Sequence, residues 1–142
     1  MPVFDSPKYT VEQAIEEIKK ETNVIFLDFH AEATAEKICY AKYFSELGVS
    51  VFAGTHTHVQ TADERIINNQ TAYISDVGFC GDNEGVIGMD YESSAHHLMT
   101  MLPGRFEVGT SDRACINGIV VTVDVLSGRA EDIKRINVIK EL

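Results

Sequence analysis

The sequence has 142 residues, 44% of them hydrophobic and 24% charged, and no long polar or low-complexity tract, which reads as a single domain over residues 1–142 with a real core. The formal net charge is −10, from 22 acidic against 12 basic residues. No Lys/Arg cluster exceeds Lys19-Lys20, so a basic face for duplex nucleic acid is excluded. No stretch approaches the ~20 consecutive apolar residues that span a bilayer, and the segment from Met1 to Pro7 lacks the basic and apolar regions of a signal peptide. Cys39, Cys80 and Cys115 are odd in number, widely spaced and set in apolar surroundings. They read as buried free thiols, which fits a reducing cytoplasm.

In chain order, Thr10 to Lys20 predicts a helix, with Thr10 as cap, Gln13 at the capping-box position and Val11, Ala14, Ile15 and Ile18 as an apolar stripe. Val24 to Phe29 is a continuous apolar run, expected of a strand covered on both faces. Ala33 to Leu47 predicts a second helix, closed by Gly48 at C′. Val49 to Ala53 is the next buried strand, and the β-α-β order implies a right-handed crossover between parallel neighbours. Arg65 to Ser75 reads as two short strands about an Asn68-Asn69 turn. A glycine-rich loop follows from Gly78 to Gly88, then a helix near Tyr91 to Met101. Arg105–Val108, Ala114–Val125 and Glu131–Ile139 read as strands of an antiparallel meander, the last two joined by a turn at Leu126-Ser-Gly-Arg129.

Chemistry gathers where the first two strands run out. One ends in Asp28 and His30, the other in Gly54, His56 and His58. Ligands of open α/β sheets collect at the carboxyl ends of strands, and imidazole is the commonest protein ligand for transition metals. In an extended segment His56 and His58, two residues apart, point the same way into one cavity. Asp28 or Glu32 can hold the second nitrogen of His30, and Glu32 can equally serve the following helix. Asp76-Val-Gly78 forms a third strand-end cluster, whose glycines either admit a phosphate or build a long turn. His96 and His97 fit a solvated helix face, and no base stands near Ser45, Ser93, Ser94 or the cysteines in sequence to support nucleophilic catalysis. Three histidines suit one catalytic zinc, whereas a two-metal site needs a bridging carboxylate as well. The pattern alone leaves both open.

Asp28-Phe-His-Ala-Glu-Ala-Thr34, Gly54-Thr-His-Thr-His-Val-Gln-Thr61, Thr71-Ala-Tyr-Ile-Ser-Asp-Val-Gly78 and Gly85-Val-Ile-Gly-Met-Asp90 resemble the YmdB-like family of metallophosphoesterases, within the calcineurin-like superfamily, over essentially the whole chain. The resemblance implies a four-layer α/β/β/α sandwich and a dinuclear phosphodiesterase that hydrolyses cyclic nucleotides and related small phosphodiesters. It implies that His30 and His56 ligate one metal and His58 the other, with Mn, Fe or Mg as the ions. Thr57, Asp76 and Gly78, with Asp28 and Glu32, then stand behind the ligands or in the substrate loop.

The blocks that supply the remaining ligands and a catalytic histidine in that family (Gly-Asp, Asn-Gly-Glu-Asn and Gly-Asn-His) do not occur here. The expectation is therefore the C-terminal half of the sandwich: a parallel β-α-β unit followed by an antiparallel meander. Such a chain is expected to be catalytically silent alone and to hold at most one ion weakly. Its open sheet edge favours self-association or pairing with an N-terminal half. The rival expectations are a mononuclear zinc hydrolase using the three histidines and a non-catalytic interaction module.

Overall fold

Ser6, not Thr10, starts the first helix in the computed structural model, which describes residues 6–142. The Ser6 hydroxyl accepts the Lys8 N–H at 3.3 Å, and Pro7 takes the first helical position, where its missing donor costs nothing. Helix α1 therefore runs Pro7–Ile18, with Thr10 inside it. Strand β1 (Phe26–His30) leads to α2 (Thr34–Glu46) and then β2 (Val51–Thr55), which pairs parallel to β1 in the register Phe26↔Val51 to His30↔Thr55. Helix α2 ends in a Schellman motif: Val49 N–H reaches the Phe44 carbonyl and Gly48 N–H that of Ser45, with Gly48 at φ +83° as its position requires.

The chain continues through β3 (Arg65–Ile67) and β4 (Thr71–Ile74), an antiparallel pair whose turn places Asn68 and Asn69 at φ +53° and +51°. Strand β4 also pairs parallel to β2, a neighbour the sequence reading did not identify, so the first sheet has the order β1-β2-β4-β3. The second sheet is antiparallel, ordered β5 (Cys80–Asp82), β6 (Arg113–Val123), β7 (Ala130–Glu141). Helix α3 (Tyr91–Thr100) lies between β5 and β6 and is capped by Asp90, whose carboxylate accepts the Ser93 N–H.

One face of the first sheet packs on the helices through Ile15, Ala41, Phe44, Phe52 and Tyr73. The other packs on the second sheet through Val51, Ala72 and Ala130, with Ile119, Val121 and Ile133 against them. The result is the mixed α/β architecture expected, a parallel unit followed by antiparallel strands.

Three local expectations are corrected. Strand β1 is not covered on both faces: it is an edge strand with Phe26 63% exposed and Phe29 buried. Residues from Arg105 to Val108 are exposed and form no strand: Glu107 hydrogen-bonds the start of α3 through Asp90 and Ser93, Phe106 packs on His97, and the ladder pairing is limited to an isolated Met89–Val108 bridge. The three cysteines are free, yet only Cys115 is buried; Cys39 and Cys80 lie on the surface.

Candidate metal centre at the carboxyl edge of the first sheet

The parallel pairing of β1 and β2 brings the ends of both strands to one edge, with His30 level with Thr55 and His56 next in the chain. His30 Nε2 lies 3.2 Å from His56 Nδ1, and the rings meet edge to face with centroids 5.1 Å apart. Behind them runs a short relay: His30 Nδ1 is 3.1 Å from the Thr55 hydroxyl, which donates to Asp28 Oδ1 at 3.1 Å. With the Thr55 proton spent on Asp28, its oxygen accepts from His30 Nδ1–H. That places the free lone pair of His30 on Nε2, the atom facing His56. A ring nitrogen oriented through its opposite N–H is the usual arrangement of a metal-ligating histidine. Asp28 is thus the residue behind His30, through Thr55, whereas Glu32 is exposed and Ala33 occupies the N-cap position of α2.

His58 goes elsewhere on the rim. Its Nδ1 lies 3.3 Å from the Ile87 carbonyl and its ring stacks on Phe79. The extended reading of His56-Thr57-His58 fails because β2 ends at Thr55 and the chain bends at once, with His56 at φ +150° and His58 at φ +61°. Side chains two apart therefore do not share a direction. Non-glycine residues held at such angles cost about 1–3 kcal/mol each and concentrate at functional sites. His58 borders a cavity of about 290 Å³ that Phe79, Asn83, Asn117 and Asn137 also line. A larger cleft of about 480 Å³ along α1 contains no histidine and lies apart from this edge.

The bend is held from β4. Asp76 Oδ2 accepts the Thr57 N–H at 2.7 Å, and Oδ1 accepts the Gly78 N–H at 3.0 Å. Lys37 Nζ on α2 stands 3.4 Å from Oδ2, with both side chains buried. Burial opposes ionisation of Asp76, but the Thr57 and Gly78 amides and the Lys37 ammonium outweigh it and hold the carboxyl below its usual range. Gly78 needs to be glycine: it sits at φ +82°, and a Cβ would lie 2.5 Å from Asn117 Oδ1.

Sequence reading missed Thr55, Lys37 and Gln60. Gln60 Nε2 donates to the carbonyls of Val77, Gly118 and Ile136, tying the loop to the second sheet. A lysine in a helix carries no sequence signal of a buried partner 39 positions away. Of the remaining histidines, His96 is exposed as expected, and His97 packs edge-on against Phe106.

The donor set suits an imidazole-seeking transition ion. The structure brings two imidazoles together, and among the described residues no group of three or more His, Cys, Asp or Glu side chains is gathered to hold an ion. The pair therefore fits part of a coordination shell.

The mixed α/β fold falls among phosphatase-like folds by its solved neighbours, and comparison with known proteins identifies the family. The chain belongs to the YmdB-like protein family, whose model matches residues 1–136. It is 42% identical over 136 residues to a Bacillus subtilis (strain 168) protein named 2′,3′-cyclic-nucleotide 2′-phosphodiesterase, covering 96% of this chain and 51% of that protein. Its fold matches the crystal structure of a novel phosphatase from Mycoplasma pneumoniae with TM-score 0.84 and 32% identity, covering 99% of this chain and 50% of that one. A hypothetical protein from Thermus thermophilus matches with TM-score 0.84, 28% identity and coverage of 99% and 53%. The chain spans about half the length of the relatives it matches.

Proposed function

We propose that this chain carries one part of the metal centre of a phosphodiesterase that acts on cyclic nucleotides or related small phosphodiesters. The observation that carries this reading is the His30 Nε2–His56 Nδ1 approach of 3.2 Å, backed by the Thr55–Asp28 relay. The naming of the Bacillus subtilis relative supports the substrate class. His30 and His56 would hold one ion, and His58, oriented by Ile87, would serve a second. Mn, Fe or Mg are the ions proposed, and such ions supply charge stabilisation to the phosphoryl oxygens of an in-line displacement. The protein's own part is to fix the imidazoles on a rigid sheet edge and to border the cavity beside His58.

Two cations a few ångströms apart need a bridging carboxylate and further donors, so the 142-residue chain is proposed to turn over substrate at or near background and to bind one Zn²⁺ or Ni²⁺ weakly. The exposed edge at β1 is where a further strand, from an N-terminal half or a second copy, would add. A mononuclear zinc site using all three histidines would need His58 beside the pair, and no such group of three is gathered among the described residues.

The test is calorimetric titration with Zn²⁺ and Mn²⁺, beside hydrolysis of bis-p-nitrophenyl phosphate and 2′,3′-cyclic AMP in Mn²⁺, for wild type and His56→Ala. One weakly bound ion that is lost in His56→Ala, with negligible turnover, is expected. A tightly held zinc with esterase activity would establish the mononuclear hydrolase instead. No metal binding in either protein would leave an interaction module.

A further inference from the structure

Among the described residues, Lys37–Asp76 is the ion pair with both side chains buried, at 2% and 1% exposure. An apolar side chain would fill the Lys37 position without taking an ammonium out of water, so packing does not account for a lysine there. The acceptor beside it is unusually committed. Asp76 Oδ2 takes the Thr57 N–H and Oδ1 takes the Gly78 N–H, so both oxygens are already used on the backbone of two loops. Thr57 is flanked by the two residues held at positive φ, His56 and His58. The stretches on either side are also tied to the chain leaving β4: Thr61 N–H donates to the Asp76 carbonyl at 3.0 Å, Asp76 N–H to the Thr61 hydroxyl at 3.0 Å, Val77 N–H to the Gly54 carbonyl at 2.9 Å, and Gln60 Nε2 to the Val77 carbonyl at 3.2 Å. This leaves the Asp76 carboxylate as the partner of Thr57 itself.

We propose that Lys37 and Asp76 are positioning residues for the histidine loop. The buried ammonium holds the carboxylate in place, the carboxylate fixes the Thr57 amide, and the backbone on either side then turns His56 toward His30 and His58 toward Ile87. Neither residue touches the ring nitrogens. Their effect on metal binding rests on the reading given under Proposed function, but their effect on the loop does not.

The experiment uses the 142-residue chain, with amide hydrogen exchange followed by NMR and Zn²⁺ affinity by calorimetry. The variants are Lys37→Met, the neutral pair Lys37→Met/Asp76→Asn, and Lys37→Arg, which retains a cation beside Asp76. In wild type the Thr57 amide is expected to be protected although its side chain is exposed. In both Met variants that protection falls tenfold or more while amides within β2 and β4 keep theirs, and Zn²⁺ affinity falls about 10–100-fold, the usual effect of removing a residue that orients metal ligands. Lys37→Arg restores protection and affinity together. Unchanged Thr57 protection in a folded Lys37→Met overturns the proposal, as does a Thr57 amide that exchanges at the unprotected rate in wild type, whatever the variants do. Loss of loop protection in a chain whose wild type binds no Zn²⁺ keeps this inference and removes the metal reading.

Discussion

Gly54 and Ser75 touch backbone to backbone: a Cβ on Gly54 would lie 2.0 Å from the Ser75 carbonyl oxygen and 2.6 Å from its carbon. The contact lies one residue before the end of β2 and draws the strand against the chain leaving β4, beneath the histidines. Neither atom belongs to a flexible side chain, so the strain of a methyl group has nowhere to go. Gly54→Ala is expected to destabilise the chain by about 3 kcal/mol, the upper range for overpacking, and to lower the thermal midpoint by roughly 10 °C. A thermal melt of the purified variant within a degree or two of wild type would disprove the tight approach.

Thr55→Val tests the relay. The substitution conserves shape, leaves the acceptor for His30 Nδ1–H empty and deprives Asp28 of its donor. Zn²⁺ affinity is expected to fall about 10–100-fold with the fold intact, the range seen when partners behind a ligand are removed. The circular dichroism spectrum and thermal midpoint report the fold, and calorimetry reports the affinity. Equal affinity would show that Asp28 and Thr55 do not orient the ring.

Gln60→Leu removes a donor shared by three carbonyls, those of Val77, Gly118 and Ile136. Part-buried acceptors left without a partner cost about 1–3 kcal/mol, so a loss of roughly 2–3 kcal/mol in urea unfolding is expected, with the second sheet loosened first. Amide exchange in β6 and β7 is the sharper measurement, because these strands lose their tie to the loop.

Acid should weaken the loop from Asp82 to Ser111. Asp82 accepts the N–H groups of Glu84, Gly85 and Ser111, and these, led by Ser111, bring its pKa down from 3.8 to about 2. A carboxyl whose folded pKa lies below its unfolded value binds fewer protons when folded. Its stabilisation is present above the unfolded value and lost as pH falls toward the folded one, from about pH 4 to about pH 2. Asp82→Asn should therefore flatten the urea midpoint against pH across that window and leave the curve above it parallel to wild type. A variant with the same slope as wild type would show that the loop amides do not hold the carboxylate.

Asn68 and Asn69 both occupy the left-handed region at the β3–β4 turn. Asparagine tolerates it and a β-branched residue does not, so Asn69→Val is expected to cost about 1–2 kcal/mol in urea unfolding. A neutral substitution would mean that the turn readily changes type.

Periodicity, glycines and turn pairs were enough to place α2 with its Gly48 terminus, the parallel β1–β2 pair, the Asn68-Asn69 hairpin and the long β6–β7 pairing, because each is set by residues close in the chain or by an unbroken pattern. The strand-end position of His30 and His56 followed from the same reasoning, since a right-handed β-α-β crossover sends both strands out on one edge. Contacts made across the fold carried no such signature. That β1 lies at an edge with Phe26 exposed, that β4 joins β2 in parallel, and that Lys37 reaches Asp76 all depend on which surfaces meet after collapse. The direction of His58 was decided in the same way. An extended chain would have aimed it beside His56, but the backbone bends on both sides of Thr57, whose N–H is held by Asp76, and the ring stacks on Phe79 beside the Ile87 carbonyl. Local sequence determined which residue types stand at the strand ends; tertiary packing decided which of them meet, because a side chain's direction follows the backbone angles that distant partners impose.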